Sequence, residues 1–531
     1  MKKSTMNKTT EEEVYSDVLV IGSGIAGGIT ALEAAKQGLE VNIVVKSPGI
    51  EGSNTYWAQG GIVSFGQDDK PELLKEDILK AGDYINNPEA VDLLVAEGKK
   101  AIDRILIQEL KIPFARSSPD KLDYALEGGH SRRRILHVAD ATGRTIAMAL
   151  HKRLQDFPNI HLYFDHTAVD LLTSPHHLTD PLASYREPFC LGAYILDNKS
   201  RLVKKFIANY TVLATGGCGA VFEFTSNPKT AIGSGYAMAQ RAGARIVNME
   251  YIQFHPTALY HREADNFLIS ESVRGEGARL KTRDGRAFMD KYSPLKDLAP
   301  RDEVTRAIYQ EMINTRSKFV LLDLAGHTRV DIKKRFPYIY RTCLSYGLDI
   351  TREPIPVVPA AHFSCGGVLV DTWGRSSLSG LYAVGEVSCT GLHGANRLGS
   401  TSLLEGLVWG IRAARDISEN FQPQLRCRPG LIRSWRYPER EEAIDPALIY
   451  QDWATIRSTM WNYAGIIRTT KRLERARADL EYLQHRVDKF YQEAPMDPEL
   501  VDLRHGLQVA LLITRAALAN PESRGSHFRL N

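Results

Sequence analysis

The apolar and polar positions divide the chain into stretches of different character. Val18-Leu19-Val20-Ile21 is a short run without a polar face, the pattern of a strand buried on both sides. A helical period follows from about Ile25 to Gln37, and Gly38 suits the left-handed position that ends a helix. A second apolar run, Val41 to Val45, closes at Lys46. Strand, turn, helix and strand within about 30 residues is the opening of a dinucleotide-binding βαβ unit. From Asn87, which can cap a helix with Pro88 in its first turn, the apolar period continues to about Leu110. His161–Leu172, Phe189–Leu196 and Lys205–Ala214 read as three strands separated by polar turns, and the last runs into Ala214-Thr215-Gly216-Gly217.

From about Met249 to Ala361 short strands mix with charged helices, and Leu298-Ala299-Pro300-Arg301-Asp302 sits at a helix start; this stretch reads as an insertion. The strand pattern resumes at Gly367–Val370. Gly380 to Glu386 is another buried strand, ending in a Gly and an acid, and a helix follows from about Ser402. Beyond Pro423 the chain becomes charged and helical, with amphipathic stretches at 451–490 and 499–519. There are no internal repeats and no low-complexity segments.

Length and composition narrow the class. At about 100–200 residues per domain, 531 residues make roughly three units. Hydrophobic residues are 43% and charged residues 24%, values of a globular chain long enough to need no disulfide or metal staple. Global disorder, collagen and a small disulfide scaffold are excluded. The 67 basic and 63 acidic residues leave a charge of +4, with no concentrated basic face of the nucleic-acid type. The two candidates for such a face are Arg132-Arg133-Arg134 and the stretch from Arg426 to Arg440. The second is interleaved with acids and reads as a solvated helix face. Six cysteines, at 190, 218, 343, 365, 389 and 427, include no Cys-x-x-Cys pair. They read as small core residues of a reducing compartment, and no metal site is expected. Met1 to Asp17 is polar, without the apolar centre of a signal peptide, and no run of about 18 apolar residues is free of charge. A cytoplasmic protein without membrane or nucleic-acid partners is the expectation.

The chemistry begins at Gly22-Ser23-Gly24-Ile25-Ala26-Gly27. In a G-x-G-x-x-G turn the first Gly makes the bend, the second admits a pyrophosphate, and the third lets helix and strand pack closely. The helix start behind it offers free N–H groups and a positive dipole end. An NAD site usually ends its second strand with an acid for the ribose; here Lys46 stands there. The small donors of Gly52–Gly61 could line an isoalloxazine ring instead. Glu386 suits a contact with a ribitol or ribose hydroxyl. Ser402-Leu403-Leu404-Glu405 reads as a capping box whose helix would stabilise negative charge near flavin N1 and O2. Four cations, His255, Arg301, His362 and Arg397, lie outside the amphipathic stretches. Arg grips carboxylates bidentately and His adds donors, so the set points to a dicarboxylate pocket.

These motifs occur together and in order: GSGIAG, Ala-Gln-Gly-Gly at 58–61, QFHPT at 253–257, RGEGARL at 274–280, APRD at 299–302 and LHGANRL at 392–398. The set resembles the flavoprotein superfamily of succinate dehydrogenase and fumarate reductase, over about residues 15 to 530. Within it the chain is most similar to the L-aspartate oxidase family. The Glu127–His137 loop and Pro359-Ala360-Ala361-His362 with Cys365-Gly366-Gly367 have that family's form. In membrane-complex subunits a His bonded covalently to FAD follows the loop serine; here Asn54 follows Ser53, so FAD should be noncovalent.

The resemblance implies an α/β fold. A Rossmann-like FAD-binding domain is formed by 15–248 and 362–421, with an inserted α+β capping domain at 249–361 and a C-terminal helical domain at 430–531. It implies oxidation of L-aspartate to iminoaspartate, the first step of NAD biosynthesis via quinolinate. The acceptor is oxygen, giving hydrogen peroxide, or fumarate, giving succinate; quinolinate synthase is an implied partner. By position, Arg301 is the acid/base for the substrate proton, which for an arginine requires a desolvated, cation-rich site. His255, His362 and Arg397 hold the two carboxylates, with Ser270, Glu271 and Ser400 beside them, and Glu127 meets the ammonium. FAD contacts fall on Ser23, Gly24, Ile25, Ala26, Gly27, Lys46, Ser53, Asn54, Thr55, Ala58, Gln59, Gly60, Gly61, Glu386, Ser402 and Leu403. Two positions depart from the family's pattern: Ser234 replaces an Asp expected at FAD, and Thr401 replaces an Asn. The alternative is a soluble fumarate reductase or a succinate dehydrogenase flavoprotein subunit, against which Asn54 and the Glu127 loop stand. A flavin-binding protein without turnover, acting through its charged C-terminal helices, is a further alternative; the four cations argue against it.

Overall fold

The computed structural model describes residues 12–66, 68–264, 267–326, 331–422, 430–438 and 443–530. The opening unit forms as its pattern predicts, except that its first strand begins at Glu13, ahead of the apolar run at Val18, because Glu13 to Ser16 pair with Lys205 to Ala208. Strand β1 (Glu13–Ile21) leads into helix α1 (Ile25–Lys36), and β2 (Val41–Val45) returns parallel to β1. Gly38 follows α1 with φ +83°, a conformation that a Cβ disfavours, and so ends the helix. β2 is buried along its whole length, as its unbroken apolar run requires.

The stretch His161–Leu172 is two strands rather than one: β3 (Ile160–Phe164) and β4 (His166–Thr173). Asp165, at φ +60°, turns the chain between them, and its N–H donates to the Ser47 carbonyl. β5 (Cys190–Asp197) and β6 (Val203–Leu213) complete the order β3-β2-β1-β6-β5-β4. β4 to β6 pair antiparallel, whereas β1, β2, β3 and β6 run parallel. The helix begun at Asn87 is α2 (Pro88–Ala101). Asn87 Oδ1 accepts from the Glu89 N–H at 3.2 Å, and residues Ile102–Glu109 continue in wider π turns.

A second sheet of four strands holds the insertion. Its strands are β7 (Ile252–Leu259), β8 (Arg279–Lys281), β9 (Val320–Asp323) and β10 (Ile355–Ser364), in the order β7-β10-β9-β8. Helix α3 (Arg301–Asn314) packs on β7. Gly367–Leu369 does not rejoin the large sheet; it pairs with Ile246–Val247 and Ser388–Cys389. The later strand β11 (Leu381–Ala383) does rejoin, parallel to β6. Helix α4 (Ser402–Glu419) then lies against α1, where a Cβ on Gly410 would come within 2.8 Å of the Ala26 carbonyl oxygen.

The C-terminal part has α5 (Pro446–Tyr463), α6 (Thr470–Glu493) and α7 (Pro498–Ala519). The expected amphipathic stretch 451–490 is thus divided, because Thr469 caps a new helix by accepting from the Arg472 N–H. Residues 430–438 are not helical, so the solvated helix face expected at Arg426–Arg440 does not form there. Cys427 and the rest of that stretch, like Met1 to Glu11, lie outside the described residues. The other five cysteines are buried.

Candidate active site

The carboxyl ends of β1, β2, β6 and β11 open into one cavity, the place where ligands bind in open α/β sheets. The glycines divide the work there. Gly22 adopts φ +112° with its Cβ position 2.2 Å from the Ala214 carbonyl oxygen, so only glycine makes that turn. Gly27 does not line the cavity; a Cβ there would sit 2.1 Å from the Gly22 carbonyl oxygen, so it serves helix packing. Gly24 does line it, beside Thr55, whose hydroxyl accepts from the Ile25 N–H at 3.0 Å. Gly24 itself offers no side chain to cap α1, so beyond the Ile25 N–H that Thr55 takes, the first-turn N–H groups are left for a phosphate.

The remaining expected cofactor residues, from Ser23 to Leu403, all line this cavity, as does Ser234. Lys46 is paired with Asp502 of α7 at 2.5 Å, which brings the C-terminal helix to the rim. Asn54 Nδ2 donates to Glu386 Oε2 at 2.8 Å, and the Ser364 N–H donates to the other oxygen at 3.0 Å. Burial pushes the Glu386 carboxyl up to about 7 against those two donors.

The expected capping box at Ser402–Glu405 does not form. Ser402 Oγ accepts from Arg397 Nη1 at 2.7 Å, while Glu405 receives Thr390 Oγ1 at 2.6 Å and lies 2.9 Å from His393 Nε2. Buried tertiary donors outcompete the backbone for both oxygens, and α4 begins without a side-chain cap. Its free N–H groups make it a better anion site than a capped helix. A cavity with two uncapped helix starts, a glycine turn and a buried carboxylate for hydroxyls fits a flavin dinucleotide.

The cations gather on the same cavity. Strand β7 carries His255 on an irregular stretch: its register against β10 shifts on either side of His255, as Pro256 demands of a strand. His255 Nδ1 accepts from the Thr257 N–H at 3.2 Å, which places the ring proton on Nε2 as a donor. His362 on β10 has Ser226 Oγ 2.7 Å from its Nδ1, and the two rings lie 5.4 Å apart. Burial first, then neighbouring arginines, hold both histidines well below their ordinary value, so both are neutral. Arg397 donates to Gln253 Oε1 from Nε at 3.2 Å and Nη2 at 3.0 Å, and stacks over Phe363 at 4.8 Å. Burial, reinforced by Arg301, lowers Arg397 to about 10.

Arg301 is the first residue of α3, where the helix dipole disfavours a cation. Two carboxylates offset this. Its Nε donates to Glu271, and Glu127 stands close by. Burial lowers the Arg301 guanidinium, but Glu271 and Glu127 outweigh it and hold the group above its ordinary value. The site is desolvated as expected, yet it is not purely cationic, and Arg301 is held in its protonated form. Arg301 Nη1 is buried and has no hydrogen-bond partner among the described residues. Glu271 lines the cavity with both oxygens engaged: one meets Arg301 and the other accepts from Arg274 Nη2 at 3.1 Å. Burial favours its neutral form, but Arg301 and Arg274 reverse that and bring it to about 2. Glu127 Oε2 accepts from Ser400 Oγ at 2.7 Å, and Ser400 itself sits at φ +59°, a strained conformation for a serine. Ser270 lines the cavity with its hydroxyl 2.9 Å from that of Ser272.

Sequence reading missed Arg274, Gln253, Ser226 and Phe363 as site residues. Arg274 and Gln253 lay inside the motifs RGEGARL and QFHPT, so their positions were visible and their partners were not. Arg132–Arg134 is no basic patch, because Arg134 is buried between Asp69 and Asp77.

Comparison with known proteins gives a consistent picture. An FAD binding domain family matches residues 17–403, and a fumarate reductase flavoprotein C-terminal family matches 453–531. L-aspartate oxidase 1 of Ralstonia nicotianae is 44% identical over 515 residues, 96% of this chain and 94% of that one. The chloroplastic L-aspartate oxidase of rice is 38% identical over 98% of this chain and 82% of its own. Among solved structures, an E. coli quinol fumarate reductase chain superposes with a TM-score of 0.86 at 27% identity, covering 98% of this chain and 92% of that one. Sdh1 of Mycobacterium smegmatis superposes with a TM-score of 0.81 at 30% identity, covering 98% and 89%.

Proposed function

The chain belongs to the L-aspartate oxidase family, FAD-dependent oxidoreductases of the succinate dehydrogenase/fumarate reductase superfamily, and from that premise we propose roles for its residues. The reaction is FAD-dependent oxidation of L-aspartate, which feeds NAD biosynthesis. Bound FAD supplies the acceptor for the hydride from substrate Cα. Gly24, Thr55, the uncapped starts of α1 and α4, and Glu386 hold the cofactor, with Asn54 allowing a noncovalent attachment. The segments 15–248 and 362–421 form the FAD domain, 249–361 the cap and 430–531 the helical domain.

One observation carries the assignment of substrate. The cavity presents Arg301 and Arg397 with the neutral donors His255 and His362; of its carboxylates, Glu271 is taken by two arginines and Glu386 by Asn54 and the Ser364 N–H, which leaves Glu127, with no salt bridge among the described residues and Ser400 as its hydrogen-bond donor. Two arginines and two histidines suit two carboxylates, and the added acid suits an ammonium. Arg301 Nη1 and Arg397 grip the carboxylates, while Ser270 and Ser400 add hydroxyls. Glu127 pairs with the ammonium and accepts the proton it sheds as Cα loses hydride, leaving iminoaspartate. Arg301, held protonated by Glu271 and Glu127, donates a proton to carbon when fumarate is the acceptor and succinate the product. Arg274 and Glu271 form the line through which that proton is replaced. Oxygen, reduced to hydrogen peroxide, is the other acceptor. The protein works in the cytoplasm and hands iminoaspartate to quinolinate synthase; among the described residues no helix is long and apolar enough to cross a membrane.

Anaerobic bleaching of the visible flavin band by L-aspartate and by succinate, run in parallel, tests the reading. Bleaching by L-aspartate alone is expected. Bleaching by succinate alone would move the chain to the dehydrogenase branch and strip Glu127 of its role. The variant Arg301→Leu, which removes a cation that grips and orients a substrate carboxylate, keeps its FAD and loses aspartate oxidation by about 100-fold or more.

A further inference from the structure

The loop that presents Glu127 is held by charges that never reach the cavity. Ala125 and Ile135 face each other in an antiparallel bridge, with N–H···O distances of 2.9 and 3.1 Å, so Glu127 starts two residues from a fixed point. At the far side of the loop the Arg134 side chain is fully buried, rare for a guanidinium. Its Nε lies 2.8 Å from Asp69 and its Nη1 2.8 Å from Asp77, a residue of the helix Pro71–Ala81. Asp77 Oδ2 also accepts from the Ser131 N–H and from Ser131 Oγ, both at 2.8 Å. A third tie runs from His130 Nε2 to the Gly399 carbonyl oxygen, 3.0 Å away, next to Ser400. Arg134, Asp69, Asp77 and Ser131 are all absent from the cavity wall.

Burying such a cluster is costly, and an apolar plug would close the loop at least as stably. The hydrogen bonds of the cluster, Arg134 Nη2 to Asp69 Oδ1 at 3.0 Å and Ser131 to Asp77, are directional as an apolar plug is not, and they favour one register of the loop. The grip of Glu127 on an ammonium depends on a carboxylate held within a fraction of an ångström, a displacement of about 1 Å costing tenfold or more. We infer that Arg134 and Asp77 are positioning residues for Glu127, and that this buried cluster sets the preference for an amino dicarboxylate over a plain one. The inference rests on the proposed role of Glu127 and goes one layer behind it.

The test compares L-aspartate with succinate in the FAD-loaded full chain. Succinate shares both carboxylates and lacks the ammonium. Asp77→Asn, of the same shape, is expected to raise the L-aspartate KM about tenfold, while succinate, read by its perturbation of the flavin spectrum, binds within twofold of wild type. Ser131→Ala, a milder change should Asp77→Asn fail to fold, shifts the same ratio in the same direction. In a Glu127→Gln background Asp77→Asn brings no further loss for L-aspartate, because the group it positions is gone. Equal weakening of both ligands, an unchanged ratio in both variants, or full additivity with Glu127→Gln would overturn the inference. If Glu127→Gln alone leaves the ratio unchanged, the Glu127 reading fails first, and that result is separable from the Asp77 outcome.

Discussion

Glu271→Gln separates holding a substrate from supplying a proton. The carboxylate lies between Arg301 and Arg274, and those two cations bring it from 4.5 to about 2 against the opposing effect of burial. At 1.36 kcal/mol per pH unit, that difference corresponds to about 3 kcal/mol favouring the ionised form. The amide has the same outline but no charge, and its NH2 end must face one of two guanidiniums. Breaking a buried pair in this way costs about 3–5 kcal/mol, so Tm is expected to fall by several degrees. On the proposed roles, the catalytic consequence differs between the two half-reactions. Fumarate reduction needs Arg301 to give up and regain a proton, so its kcat falls by about 100- to 10,000-fold, the range for loss of general acid catalysis. Aspartate oxidation sends its ammonium proton to Glu127 and needs Arg301 only as a cation, so the rate of flavin bleaching by L-aspartate changes by less than about tenfold. Stopped-flow bleaching with L-aspartate and steady-state fumarate reduction with a reduced dye give the two numbers. A tenfold rise in aspartate KM with fumarate reduction intact would refute the reasoning and return Glu271 to the substrate-binding role that the family resemblance implied.

Two further outcomes follow from the cofactor side. Acid denaturation and gel filtration are expected to separate FAD completely from the polypeptide, since Asn54 donates to Glu386 and carries no nucleophile; flavin that stays with the chain would overturn this. FAD affinity should depend on Glu386, whose carboxyl burial raises to about 7. Ribose or ribitol hydroxyls donate to the ionised form and so lower its pKa on binding. Affinity is therefore expected to weaken as pH falls through about 7, with proton release on binding just below that pH. Titration calorimetry in buffers of different ionisation enthalpy detects the released proton, and Glu386→Gln should abolish both the release and the slope.

The sequence by itself determined the elements whose causes are local. The apolar runs of β1 and β2, the glycine turn between them and Gly38 after α1 need only neighbours within a few residues, and they form where the pattern puts them. The positions of His255, Arg301, His362 and Arg397 were legible for a related reason, because each stands in a short motif outside any amphipathic period. Only the tertiary structure decided what those side chains face. Glu127 meets Ser400 across 273 residues, Arg397 meets Gln253 across 144, and Asn54 meets Glu386 across 332. The expected capping box failed because Arg397 and His393 reached its oxygens first, a competition that no local pattern records. Glu271, expected beside the substrate, lies between Arg301 and Arg274, a partnership that its neighbours in the chain do not announce. Hydrophobic period and turn chemistry act over a few residues and can be read along the chain. Charge partnership acts through space at a few ångströms, and the topology alone chooses which loops come that close.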